Sequence, residues 1–377
     1  MTPSLRVVKS SQLNLGAAHK MELVEATTAL LTLLNASNVP LAKCMDGTPG
    51  GYYHAANASS RSWIIELEGG GECVDKADCE KHIHSALGSS NFFLKNTTLK
   101  FLLQDDAVAN PRLRQMNRVY VPYCSQDLWT GQRVAASDET FGYFFSGHYV
   151  LEGVLDALDA LGLAGAHDII LTGESAGGIG VWPHLDWLAA RYPKAKVTGA
   201  PLAGYYFFAV PYTGPGHTSS SLADFREDAW PGHYSLWNST VDASCAAAIE
   251  PWRCMLSNYS FPYIETRVFI IEAQTDKVQL EAHDWVPSSQ DPFWSAPVLD
   301  YFGEWSHNMS VALSPSMAVG HPNGVFSPAC FIHTDGWETT LIKGINYLTA
   351  FDRWYFDDET MKLQDDCGLL CNPTCPH

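Results

Sequence analysis

The run Asp168-Ile-Ile-Leu-Thr-Gly173-Glu174-Ser175-Ala176-Gly177-Gly178 decides the fold. An apolar, β-branched stretch leads into G-x-S-x-G, and a helix-compatible stretch follows. That order is the context of a nucleophile elbow, in which a serine sits on a strained strand-to-helix turn and small neighbours let other backbone approach. The plainer alternative is a glycine-rich turn with a helix-capping serine. Strand before and helix after favour the catalytic reading, and Ser175 is the candidate nucleophile.

Outward from this run, short strand-like segments recur at Trp63–Leu67, Arg118–Val121 and Arg267–Glu272. Helical periodicity covers Phe141–Leu163, Ala176–Tyr192 and Trp337–Phe356. Alternation of this kind predicts an α/β fold with a mostly parallel central sheet flanked by helices, α/β-hydrolase-like, with long loops stapled by disulfides. Residues 219–262 and 285–323 read as irregular aromatic and Pro-rich excursions. Residues 1–43 read as an N-terminal helical or extended segment, and 44–377 as a single domain.

A serine at an elbow needs donors for the alkoxide that develops on its substrate. The strand Ile64-Ile65-Glu66-Leu67 runs through Glu68 into Gly69-Gly70-Gly71, so the N–H groups of Gly70 and Gly71, with that of Ala176, are the candidate oxyanion donors. A phosphate loop is a poorer reading, because neither G-x-G-x-x-G nor GK[ST] is present and Glu72 follows directly. The orienting acid is expected after a strand: Val268-Phe-Ile-Ile-Glu-Ala-Gln-Thr-Asp276 puts Asp276 there, with Asp284 and Asp291 as rivals. Of the histidines beyond it, His333 follows Pro328-Ala-Cys330-Phe-Ile on a loop that Cys330 can pin, and His321 is its rival. This chemistry requires no metal and no cofactor.

Composition narrows the class further. The net charge of −18 repels a phosphate backbone, which argues against nucleic acid, and no run of 18 apolar residues offers a membrane span. The ten cysteines are Cys44, Cys73, Cys79, Cys124, Cys245, Cys254, Cys330, Cys367, Cys371 and Cys375; without a CxxC pair, they point to disulfides and away from zinc. Six sequons start at Asn35, Asn57, Asn96, Asn238, Asn258 and Asn308, against about two expected by chance. Both features indicate the secretory pathway and glycosylation. No apolar signal core is evident between Met1 and Leu34.

Several ordered motifs then carry a family resemblance. They are Cys44-Met-Asp-Gly-Thr-Pro-Gly-Gly-Tyr-Tyr53, Leu67-Glu-Gly-Gly-Gly71 with Cys73 and Cys79, Val121-Pro-Tyr-Cys-Ser125, Ser175-Ala-Gly-Gly178, and Asp276 with Gln279-Leu280. In these the chain resembles the Notum and pectin acetylesterase family of serine carboxylesterases, from about Cys44 to Trp354. The resemblance implies a triad of Ser175, Asp276 and His333. It also implies disulfides Cys44–Cys124, Cys73–Cys79 and Cys245–Cys254, with Cys330 paired to one C-terminal cysteine and the other two to each other. Its members hydrolyse acetyl esters of pectin or a fatty acyl ester on a secreted protein, so an acylated polysaccharide or an acylated protein is the expected partner. Two departures, Glu72 after the glycines and Glu174 before the nucleophile, add negative charge near the site. The stretch Gly204-Tyr-Tyr-Phe-Phe-Ala-Val-Pro-Tyr212 reads either as an acyl pocket or as ordinary core. A reading from another class is an inactive glycosylated hydrolase scaffold that binds a carbohydrate or lipidated partner; an intact candidate for every catalytic role argues against it.

Overall fold

A computed structural model describes residues 28–218, 225–288 and 294–376. Their strands are β1 (Thr28–Leu33), β2 (Gly51–Ala55), β3 (Ser62–Leu67), β4 (Asn96–Thr98), β5 (Asn117–Val121), β6 (Asp168–Glu174), β7 (Lys196–Leu202), β8 (Phe269–Ile271), β9 (Thr275–Asp276), β10 (Gly324–Ser327), β11 (Phe331–Ile332) and β12 (Lys362–Gln364). Ten of them form one sheet in the order β12-β10-β8-β7-β6-β3-β5-β2-β1-β4. From β12 to β5 every pairing is parallel, and β2, β1 and β4 close one edge in antiparallel fashion. The quoted run is therefore near the middle of the parallel part, where both faces are covered and strands read as continuous apolar runs. β1 falls in the segment set apart as 1–43, yet it pairs with β2, so the sheet reaches across that boundary.

Layers on both faces follow from the apolar stripes. The helix Gly147–Asp159 buries Val150, Leu151, Val154, Leu155 and Leu158, each full burial contributing about 2 kcal/mol. It is shorter than the periodic stretch 141–163, because Phe141 and Gly142 take left-handed backbone angles ahead of it and Gly162 does so after it. The helix Ala176–Arg191 packs on β6 and β7. The stretch 337–356 is helical only over Tyr347–Phe356, where the Asn346 side chain caps the Thr349 N–H at 2.8 Å. Its first half cannot be helical, since Lys343 and Gly344 are left-handed and Ile342 bridges to Ile345.

Residues 285–323, expected to be irregular, contain the longest described helix, Ala296–Met317. Val298, Phe302, Trp305, Met309 and Leu313 line its buried side at spacings of three and four, a helical stripe obscured by Pro297, Gly303 and Pro315. Residues 219–262 likewise hold short helices, Trp230–Trp237 and Ala243–Ala248 among them. Five disulfides join Cys44–Cys124, Cys73–Cys79, Cys245–Cys254, Cys330–Cys375 and Cys367–Cys371. Among the described residues no helix is long and apolar enough to cross a membrane.

Candidate active site

Ser175 stands where β6 turns into the helix Ala176–Arg191, with φ 55° and ψ −123°. A non-glycine residue in that region stores about 1–3 kcal/mol of strain, which the surrounding contacts must hold. They do so by close approach: a methyl group at Gly177 would overlap the Leu67 carbonyl oxygen, so only glycine lets the elbow pack against the end of β3. That packing puts the Gly69–Gly71 loop beside the serine, close enough that a Cβ on Gly69 would lie 2.8 Å from Ser175 Cβ. Gly70 and Gly71 take φ values of 142° and 76°. No acceptor among the described residues takes the N–H groups of Gly70, Gly71 or Ala176.

A second, two-stranded sheet brings the other two residues together. β9 and β11 pair in parallel, Thr275 opposite Phe331 and Asp276 opposite Ile332, so His333 emerges beside Asp276 although 57 positions separate them. Thr275 Oγ1 donates to the Cys330 carbonyl at 2.7 Å, and the Cys330–Cys375 disulfide ties the same loop to the C-terminal tail. Trp337 Nε1 donates to the His333 carbonyl. The result is a linear array: His333 Nε2 lies 2.8 Å from Ser175 Oγ, and His333 Nδ1 lies 2.7 Å from Asp276 Oδ2. Asp276 Oδ1 accepts from the Gln279 N–H at 2.9 Å, and Asp276 is fully buried. Burial pushes the His333 pKa down, but the Asp276 charge and hydrogen bond, with Glu174 and Asp335, outweigh it and hold the ring above its usual value. The rivals lie elsewhere: His321 packs against Phe261, Asp284 interacts with Tyr301 and Trp305, and Asp291 lies outside the described residues.

The Gly69–Gly71 loop is clamped from behind by residues to which the sequence alone assigned no such role. Glu174 Oε1 accepts from the Gly69 N–H at 2.7 Å, and Glu68 Oε2 accepts from the Tyr123 N–H at 2.7 Å. Trp129 Nε1 donates to the Glu68 carbonyl and Gln126 Nε2 to the Gly70 carbonyl. Burial pushes the Glu174 pKa to about 7, so this residue carries less negative charge near neutrality than its sequence suggests. Glu72 is buried as well.

Glu66, inside β3, is 2% exposed, and its Oε2 has no donor among the described residues; burial first, then Glu174 and Glu68, raise its pKa well above the carboxylate range. A raised folded-state pKa means that the folded form keeps a proton the unfolded form releases, so its contribution is present below about pH 4.5 and is lost as pH rises. Glu66→Gln is therefore expected to raise the melting temperature at pH 8 and leave it unchanged at pH 4. An equal shift at both pH values would contradict this.

The stretch 204–212 divides between core and site. Tyr205 and Phe207 are core, and the Tyr206 side chain reaches Ser175. Behind it Phe225, His283 and Trp230 are closely packed, with centroid separations of 5.4 Å (Tyr206–Phe225), 3.9 Å (Phe225–His283) and 4.8 Å (Phe225–Trp230). An aromatic run ending a strand beside the elbow is the one sequence signal that pointed to this wall.

With this geometry in place, comparisons with known proteins agree on one family. A model of the family described as pectinacetylesterase matches residues 23–376. Pectin acetylesterase 5 of Arabidopsis thaliana is 30% identical over 353 residues, which cover 88% of this chain and 81% of the relative. Palmitoleoyl-protein carboxylesterase NOTUM of Homo sapiens is 28% identical over 363 residues, covering 88% of this chain and 71% of the relative. The solved structure of the Wnt deacylase Notum from Drosophila superposes with a TM-score of 0.81 at 26% identity, covering 93% of this chain and 100% of that one.

Proposed function

The chain belongs to the pectinacetylesterase family and is a carboxylic ester hydrolase, and on that premise we propose that it removes an O-acyl group through Ser175, His333 and Asp276. The observation that carries this reading is the hydrogen-bonded line from Ser175 Oγ through both ring nitrogens of His333 to Asp276. Ser175 donates its proton to His333 Nε2 and attacks the ester carbonyl. The tetrahedral oxyanion is held by the N–H groups of Gly70, Gly71 and Ala176, each contributing about 3 kcal/mol. His333 then protonates the departing alcohol, and water activated by the same ring releases the acyl group. Asp276 fixes the tautomer and stabilises the imidazolium.

The substrate is an acylated polysaccharide or an acylated protein. The packed rings of Tyr206, Phe225, His283 and Trp230 form a wall on one side of the nucleophile and support a short acyl group. Five disulfides and the exposed sequon residues Asn35, Asn96, Asn238 and Asn308 support a secreted glycoprotein. Asn57 and Asn258 are half-buried, and Asn57 Nδ2 already donates to the Gln115 carbonyl.

Hydrolysis of p-nitrophenyl esters from acetate to decanoate tests both parts. The expected result is a kcat/KM maximum at acetate or propionate, falling at least about tenfold by octanoate, since a longer chain that meets the ring wall must displace the ester from its reactive position and about 1.4 kcal/mol of such cost is tenfold. A maximum at octanoate or decanoate would overturn the short-acyl reading.

A further inference from the structure

Behind the triad, β8 runs into a carboxyl group for which the mechanism so far has no role. Glu272 follows Ile271, is fully buried, and still pairs its N–H with the Phe326 carbonyl at 3.1 Å. Its Oε2 accepts from the Tyr205 N–H at 2.7 Å, whereas its Oε1 has no N–H or O–H donor among the described residues. The same carboxyl is in side-chain hydrogen-bond contact with Asp276. Two carboxylates in contact away from water cannot both stay ionised, so a proton lies between them.

The surroundings decide which carboxyl keeps it. Asp276 already has a partner at each oxygen, the His333 ring at Oδ2 and the Gln279 N–H at Oδ1. Glu272 faces the backbone amides of Tyr205 and Ala273, the Asp276 charge, and the Tyr205 and Tyr206 phenols, whose own pKa values burial raises so that they remain neutral. Burial and the Asp276 charge together push the Glu272 pKa well above the carboxylate range.

We propose that Glu272 is a neutral carboxylic acid that donates a hydrogen bond to Asp276 and so positions the Asp276 carboxylate beneath His333. Glu272 touches no reacting atom; it is a positioning residue. The proposal rests on the triad reading, and its test separates the two. The measurement is the pH profile of kcat and KM for p-nitrophenyl acetate with the full chain, for wild type, Glu272→Gln, Glu272→Leu and Ser175→Ala.

Glutamine keeps both a donor toward Asp276 and an acceptor for Tyr205, and it has the charge of the protonated acid. Glu272→Gln should retain kcat within about threefold, with its acid limb unmoved. Leucine removes the donor, so Asp276 holds the imidazolium more tightly. Glu272→Leu should lose about tenfold in kcat at unchanged KM, and its acid limb should move up by about half a pH unit. An acid limb that moves down by half a unit or more in Glu272→Gln means that Glu272 is charged in the wild type, which overturns the proposal. An unaltered kcat and acid limb in Glu272→Leu overturns it too, and should that variant not fold, the glutamine arm decides alone. Full activity in Ser175→Ala would sink the triad and this proposal with it, whereas an inactive Ser175→Ala beside an unaltered Glu272→Leu sinks the proposal only.

Discussion

Ser175→Ala is expected to lower kcat for ester hydrolysis by about 10⁶-fold, with the melting temperature nearly unchanged. The serine stands on a backbone strained at φ 55°, and its Oγ is the atom that His333 Nε2 approaches at 2.8 Å. Among the described residues no other hydroxyl hydrogen-bonds that ring; the Tyr206 phenol, which reaches Ser175, has its pKa raised well above its usual value by burial and therefore stays a poor nucleophile. Alanine leaves Gly70, Gly71 and Ala176 free to polarise a bound ester, so about 10³-fold acceleration over water should remain. The check is kcat of the purified variant beside its thermal melt. Activity above about 1% of wild type in a folded variant would mean that another residue attacks. If wild type and variant are equally silent on every ester, the inactive-scaffold reading takes the place of the esterase.

Asp276→Asn should cost about 10⁴-fold in kcat at neutral pH. Asparagine is nearly isosteric, yet its amide would donate to His333 Nδ1 where the carboxylate now accepts at 2.7 Å. The ring would then carry its proton on Nε2, facing Ser175, and could no longer take the serine's proton. Loss of the charge also removes the main opposition to burial at His333 and leaves only Glu174 and Asp335 against it, so any residual activity should show an acid limb at lower pH than wild type. A pH profile of the variant reads both effects. A loss below tenfold would move the orienting role to another acid, and Asp284, committed to Tyr301 and Trp305, is badly placed to take it.

The parallel centre of the sheet was legible because strands covered on both faces must be apolar throughout, as Ile169, Ile170 and Leu171 are. The elbow was legible because strand, G-x-S-x-G and helix are contiguous in the chain, although the backbone that its glycines admit, at Leu67 and Leu202, comes from distant strands. The helix Ala296–Met317 was not, because Pro297, Gly303 and Pro315 obscure a buried stripe whose partner surface is supplied by distant residues such as Phe331. Glu174 reads as negative charge near the site, and burial alters that in a way composition cannot express.

Sequence by itself determined the strand–elbow–helix unit and the glycine loop before it, since each depends on residues adjacent in the chain. Only the tertiary structure decided that Asp276 and His333 meet, through the β9–β11 pairing and the Cys330–Cys375 tie, and that Glu272 lies against Asp276. The physical reason is that a buried carboxyl takes its protonation state from neighbours brought together by folding, and a chain read residue by residue holds no record of which neighbours those are.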